Sequence, residues 1–220
     1  MSHESEPTVI DRVRRALGRT APLDCPPEPP ALPEHVVRLV HTDISLSELF
    51  AKRAEELKMG ITFAHPDDLA QQIVAFLRQK GVKRVAASGS KLLDSLGVMN
   101  ALRNAGFDAK RWNDITLDQM YDFDGAVTDT TYAVAESGTL AIVTDANNGR
   151  ALSLVPMYHV AVVEPRNLVP DLLDLFKILG EQHRGRHVVM ISGPSKTADI
   201  EMNVVTGVHG PNVVQTFILK

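Results

Sequence analysis

Ile61-Thr62-Phe63-Ala64, then Pro66 through Gln79, then Lys83-Arg84-Val85-Ala86-Ala87, is the stretch that decides the fold. The two outer segments are short and apolar, as strands are. The segment between them reads as a helix. Pro66 stands in its first turn, where the missing N–H costs nothing, and Gly81 follows its end. Strand, helix, strand at this spacing is the unit from which parallel sheets are built.

The alternation continues in both directions. Upstream, Ser47 to Met59 reads as a helix with Ser45 or Ser47 as its cap. Downstream, Lys91 to Gly106 holds one or two helices, Ala109 to Trp112 a strand and Leu117 to Tyr121 a short helix. Gly125–Thr128, Thr139–Thr144 and Val160–Val163 are apolar strands; Val169 to Leu179 is a helix with Pro170 near its start. Val188–Ile191 and Val213–Leu219 are the last strands. The expected class is α/β, an open and mostly parallel sheet with helices on both faces. Little helix separates Thr139–Thr144 from Val160–Val163, so part of the sheet is expected to be antiparallel or irregular. Open sheets bind ligands beyond the carboxyl ends of their strands. The loops after Val127, Thr144 and Ile191 are therefore the places to look.

Ahead of this domain, Val9, Ile10, Val13, Ala16 and Leu17 recur at helical spacing, with Gly18 as a stop. Residues 1–20 are read as an amphipathic helix. Residues 21–34 are read as a linker, with prolines at 22, 26, 27, 29, 30 and 33. Residues 35–220 form the α/β domain. So short a helix is marginal alone in water. It packs on its own domain or on another chain, whether a partner or a second copy in a homo-oligomer.

Composition removes several classes. The 220 residues are 44% hydrophobic and 23% charged, with a net charge of −4. Lys and Arg are scattered, so nucleic acid is not an expected partner. No apolar run approaches the roughly 20 residues of a membrane span, and the polar, acidic start is unlike a signal peptide. The expected compartment is the cytoplasm. The one cysteine, Cys25, sits among prolines. It reads as a plain surface thiol, unable by itself to supply the thiolates of an iron–sulfur cluster or a cysteine-rich zinc site. The eight histidines form no zinc-binding spacing. No metal and no cofactor are expected in this chain: neither a dinucleotide glycine fingerprint nor a phosphate loop of the Walker type is present.

The densest chemistry follows Val188-Val189-Met190-Ile191. There Gly193-Pro194-Ser195-Lys196-Thr197-Ala198-Asp199 combines small residues, hydroxyls and a cation, which suits a phosphate or carboxylate. The plainer alternative is a tight strand-to-helix turn with Ser195 as N-cap and Asp199 offsetting the dipole. Asp199 and Glu201 share a face only on a strand. His209 lies between small residues and offers an imidazole as acid, base or ligand, or simply as a hydrogen-bonded structural group. His159, beside a strand, fits the structural role better. Glu136 leads a Ser-Gly-Thr turn into an apolar strand. Asp145-Ala146-Asn147-Asn148-Gly149-Arg150 is first a turn; Arg150 at its end either grips a carboxylate or is an ordinary surface cation beside the turn. Ser88-Gly89-Ser90-Lys91 is a second anion loop or a helix start.

Three segments together resemble the lactate-utilisation protein C family, the LUD domain. They are Ala135-Glu136-Ser137-Gly138-Thr139-Leu140; Arg150-Ala151-Leu152-Ser153-Leu154-Val155-Pro156 with His159; and Ser192-Gly193-Pro194-Ser195 through Glu201 to Gly207-Val208-His209-Gly210-Pro211. The likeness is good over about residues 120–220 and loose before that. Glu136 stands where the family pattern has Asp. The resemblance implies a fold similar to the glucosamine-phosphate isomerase, ribose-phosphate isomerase and CoA-transferase group. It implies ligand contacts from Gly138, Thr139, Arg150, Gly193, Pro194, Ser195, Lys196, Thr197 and Gly210. Glu136, Asp199, Glu201 and His209 become the candidates for chemistry. It further implies a subunit of a bacterial system that oxidises L-lactate to pyruvate with partner proteins carrying iron–sulfur clusters. The alternative is a stand-alone isomerase- or CoA-transferase-like enzyme holding a phosphate or acyl-CoA ligand, with Glu136 as nucleophile. Whether this chain is itself catalytic stays open at this point.

Overall fold

A computed structural model describes residues 8–19, 21, 30, 33, 44–197, 205–206 and 210–220, with the backbone alone for Thr197, Val205 and Thr206. The chain divides into two units, Met1–Val37 and Arg38–Lys220. In the first, Val9–Ala16 is a helix closed at its start by a reciprocal cap. The Asp11 amide donates to the Thr8 hydroxyl at 3.2 Å, and the Asp11 carboxylate accepts from the Thr8 amide at 3.2 Å. The Thr8 hydroxyl, followed by the Thr8 amide, holds the Asp11 carboxyl below the usual carboxylate range. No residue of this helix is buried.

The second unit is built on a six-stranded sheet. Its strands are β1 (Gly60–Ala64), β2 (Arg84–Ala87), β3 (Asp108–Arg111), β4 (Gly125–Asp129), β7 (Tyr158–Val163) and β12 (Val213–Leu219), in the spatial order β1-β12-β7-β4-β2-β3. Every pairing in it is parallel. Val85 stands opposite Gly125, which stands opposite Tyr158, so β2, β4 and β7 start side by side. The chain runs outward from β2 to β3, then returns to the other side of β2 and proceeds through β4, β7 and β12. β2 and β4 therefore flank the point where the winding reverses, and a crevice opens beyond their carboxyl ends.

Strand alternation divides the core. Val85, Val127, Val160, Val162 and Phe217 face one side and pack with Leu69, Ile73 and Leu77 of the helix Pro66–Gln79 and Leu102 of the helix Val98–Asn104. Ala161, Val163 and Ile218 face the other. That side is covered by the helix Leu46–Glu56, through Phe50, Ala51 and Ala54, and by a second sheet. Ser45 caps this helix, accepting from the Glu48 amide at 3.2 Å.

The second sheet joins β8 (Leu168–Val169), β5 (Tyr132–Val134), β6 (Thr139–Val143) and β9 (Val188–Ile191), in that order. Here β6 runs antiparallel to both β5 and β9. It accounts for the missing crossover after Thr144: β6 and β7 lie in different sheets, joined by the turn at Asp145 and the four-residue helix Ala151–Leu154. Val169 belongs to β8, paired with Val134, and the helix starts later, at Leu172. The Asp171 side chain caps it by accepting from the Asp174 amide at 2.9 Å. Because β9 lies in the second sheet, the loop after Ile191 is not at the carboxyl edge of the parallel sheet. That loop leads into β10 (Lys196–Thr197), which pairs antiparallel with β11 (Val205–Thr206). Ser195 is thus followed by a strand and caps no helix.

Candidate functional site

A cavity of about 560 Å³ opens beyond β2, β4 and β7. Gly89, Ser90 and Lys91 line it from the end of β2, Asp129 through Tyr132 from β4, and Glu164, Arg166 and Asn167 from β7. The turn after β6 adds Asp145, Asn147 and Asn148, and the end of the helix Leu172–Gln182 adds Gln182, His183 and Arg186.

Hydrogen bonds fix these walls. The Ser88 hydroxyl, fully buried, donates to Asp129 Oδ1 at 3.1 Å. The Gly89 amide donates to the Asn147 carbonyl at 2.8 Å, and a Cβ on Gly89 would stand 3.3 Å from Asn147 Cβ. Asp145 Oδ1 accepts from the amides of Asn147 and Asn148 at 2.7 and 3.0 Å, an Asx turn that sets the wall between β6 and β7. Asn167 Nδ2 donates to the Thr130 carbonyl at 3.2 Å. Tyr132 Oη lies 3.1 Å from His183 Nε2, with the two rings edge to face. Partial burial holds the Tyr132 phenol above its ordinary range. Thr130 Oγ1 and Asn148 Oδ1 are buried without a hydrogen-bond partner among the described residues.

The lining carries Lys91, Arg166 and Arg186 as cations and Asp129, Asp145 and Glu164 as anions. Two of the anions have local duties: Asp145 shapes its turn, and Glu164 accepts from Arg166 at 2.8 Å. Asp129 is the carboxylate at the reversal point itself. Lys91 and Arg186 are of the type that holds an anion, and Asp129 of the type that accepts a hydrogen bond from a hydroxyl. Among the described residues no group of three His, Cys, Asp or Glu could hold a metal ion.

The residues singled out in the sequence fall into separate places. Gly89–Lys91 and, from the turn after β6, Asp145, Asn147 and Asn148 line the cavity, as does the continuation of the loop after Val127. Gly138 lies in the β5–β6 turn at φ +63°, where a Cβ would come 2.5 Å from the Ala54 amide nitrogen. Gly193, at φ +103°, would bring a Cβ 2.5 Å from the Leu57 carbonyl oxygen. Both glycines let turns of the second sheet abut the backbone at the end of the helix Leu46–Glu56. Thr139 Oγ1 accepts from Ser137 at 2.8 Å and lies 2.9 Å from Ser192 Oγ, joining the same two turns. Glu136 sits in that β5–β6 turn, at the far end of β6 from Val143, which reaches the cavity.

Ser195 and Gly210 meet: the Ser195 amide donates to the Pro211 carbonyl at 2.9 Å, and a Gly210 Cβ would lie 3.1 Å from Ser195 Cβ. Pro194 is buried and Lys196 exposed. Arg150 is exposed beside a different hollow, with Trp112 and Leu154. Asp199, Glu201, His209 and the Thr197 side chain lie outside the described residues. His159 is fully buried on β7, its Nε2 2.9 Å from Thr128 Oγ1, and burial pushes its imidazole down to about 4, so it is neutral. Sequence reasoning passed over Asp129, Thr130, Arg166, Asn167 and His183. The available signal was position: Asp129 directly follows the apolar run of β4.

The profile of the LUD domain matches residues 47–219, and the chain belongs to that family. It is 29% identical to lactate utilization protein C of Bacillus pumilus over 92% of this chain and 91% of that one. It is 27% identical to lactate utilization protein C of Halalkalibacterium halodurans, over 93% of both. Among solved structures, a DUF162 family protein from Deinococcus radiodurans superposes with a TM-score of 0.62 at 23% identity, covering 80% of this chain and 99% of that one. At that identity the likeness concerns the fold.

Proposed function

We propose that this chain serves lactate utilisation in the cytoplasm, as a subunit supporting oxidation of L-lactate to pyruvate together with iron–sulfur partner proteins. Its cavity beyond β2, β4 and β7 is the place for a small anionic ligand. The observation that carries the reading is the meeting, at the reversal point of the sheet, of Asp129 with the cations Lys91, Arg166 and Arg186. A hydroxy acid has both features such a site answers: a carboxylate for the cations and a hydroxyl for Asp129. The relatives' shared name, over more than nine-tenths of each chain, points to the same substrate class. Oxidising lactate also needs an electron acceptor. In this reading the acceptor is carried by the partners.

The test is affinity isolation of the tagged chain from cells grown on L-lactate, with iron and L-lactate oxidation measured on what is recovered. The expected result is a complex that contains iron and oxidises lactate, while the chain purified alone does not. Recovery of the chain without iron-containing partners from lactate-grown cells contradicts the proposal.

A further inference from the structure

We propose that the cavity beyond β2, β4 and β7 holds two ligands at once: lactate at Asp129 and Lys91, and a second small anion, bearing a phosphate or a carboxylate, at Arg186. The second subsite rests on the lactate reading, which fills the first.

Size is the first reason. Lactate takes the space of a few waters, roughly 100 Å³ when a water takes about 30 Å³. The cavity measures about 560 Å³. Pockets of roughly 300–1,000 Å³ take ligands well beyond a three-carbon acid. Lactate alone leaves most of this space to solvent.

The origin of the cations is the second reason. Lys91 follows β2 of the first sheet, on the loop whose Ser88 donates to Asp129 Oδ1 at 3.1 Å. The hydroxyl and carboxylate of lactate sit on neighbouring carbons, so one molecule needs its acceptor and its cation close together. The loop bonded to Asp129 supplies that cation. Arg186 belongs to the second sheet. It precedes His187, whose carbonyl accepts from the Thr144 amide, just past β6, at 2.9 Å. Gln182 and His183 line the cavity from the same segment, and Tyr132 Oη holds them there, 3.3 Å from Gln182 Oε1 and 3.1 Å from His183 Nε2. Arg166 is occupied by Glu164 at 2.8 Å, whereas neither Lys91 nor Arg186 has an ion pair with another described residue. A guanidinium fork takes phosphate and carboxylate alike.

Unmet hydrogen bonding is the third. Thr130 follows β4 and Asn148 follows β6; both line the cavity, and each has a buried side-chain oxygen without a partner among the described residues. Buried polar atoms of this kind call for a partner. Polar groups thus wait on the loops of both sheets. Three oxygens on two adjacent carbons serve one such cluster, and a second anion serves the other.

Calorimetry on the full chain tests this. L-lactate, inorganic phosphate and succinate are titrated singly, and phosphate and succinate again into chain saturated with L-lactate. At least one of the two added anions should bind the lactate-saturated chain with a Kd within about threefold of its value without lactate, as independent sites do. Tighter binding of phosphate assigns a phosphate group to the second ligand, and tighter binding of succinate a carboxylate. Arg186→Ala should weaken that anion about fivefold or more, the scale of a charge-assisted hydrogen bond, and should weaken it more than it weakens lactate. Lys91→Ala should show the opposite order. Displacement of both anions by lactate overturns the second subsite, as does an affinity indifferent to Arg186→Ala, or failure of both anions to bind chain that binds lactate. Failure of L-lactate to bind in its own titration overturns the lactate reading itself, and the double occupancy with it.

Discussion

Ser88 and Asp129 sit at the ends of neighbouring parallel strands, and the Ser88 hydroxyl donates to Asp129 Oδ1 at 3.1 Å. The bond orients the Asp129 carboxylate, and Asp129 lines the cavity. Asp129→Asn keeps the shape and an acceptor while removing the charge. The fold should persist, with a thermal midpoint within about 2 °C of the parent, since surface-facing polar changes usually cost under about 0.5 kcal/mol. L-lactate binding, followed by calorimetry on the assembled complex, should weaken about tenfold or more, the scale of a charge-assisted hydrogen bond. Unchanged affinity would remove Asp129 from the site.

In the proposed reading, two groups of cations are candidates for the ligand carboxylate: Lys91 and Arg186 at the cavity, and Lys196 on β10. Lys91→Ala with Arg186→Ala should weaken lactate binding more than Lys196→Ala does. The reverse order would move the anion site to the Gly193–Asp199 loop.

Gly138 and Gly193 answer to packing. Gly138→Ala places a Cβ at φ +63° and 2.5 Å from the Ala54 amide nitrogen; Gly193→Ala does the same at φ +103° against the Leu57 carbonyl. Neither neighbour is a flexible side-chain end that can move aside. Each change should cost about 2–4 kcal/mol, combining backbone strain with overpacking. Denaturant unfolding measures it. A loss of ligand binding with stability intact would instead assign these glycines to the ligand.

His159 gives the protein a pH dependence of known sign. Its folded value is pushed down to about 4 by burial, against about 6.5 unfolded. Between those values the unfolded chain binds the proton and the folded one does not, so stability present above pH 6.5 is lost as pH falls toward 4. The contribution is on the order of 3 kcal/mol. His159→Gln, which retains a polar group near Thr128, should flatten the fall in unfolding free energy over that window. Equal slopes in parent and variant would show that carboxylates account for the acid lability.

Much of the fold was legible because its units are local. Pro66–Gln79 carries its own start and stop, and Lys83–Ala87 and Val213–Leu219 announce themselves as apolar runs. The second sheet was harder. Tyr132-Ala133-Val134 and Leu168-Val169 are too short to carry a period, and only pairing with β6 and with each other makes them strands. Thr139–Val143 and Val188–Ile191 read correctly as strands but not as members of another sheet, because sheet membership is a long-range fact. The cavity was legible in part for the same reason. Ser88–Lys91 and Asp145–Asn148 have turn chemistry visible in sequence. Asp129, Thr130 and His183 are ordinary residues there, brought together by the reversal of strand order. The glycine-rich segments were conspicuous because turns press against a helix backbone at Gly138 and Gly193.

The most direct test of the account is growth on L-lactate as sole carbon source by a strain lacking this chain. The strain is complemented with the parent sequence or with Asp129→Asn, with chain abundance checked by immunoblot and growth on glucose as control. The deletion should abolish growth on lactate alone, the parent should restore it, and the variant should fail to restore it at equal abundance. Normal growth of the deletion strain on lactate would contradict the function. Full rescue by Asp129→Asn would contradict the site.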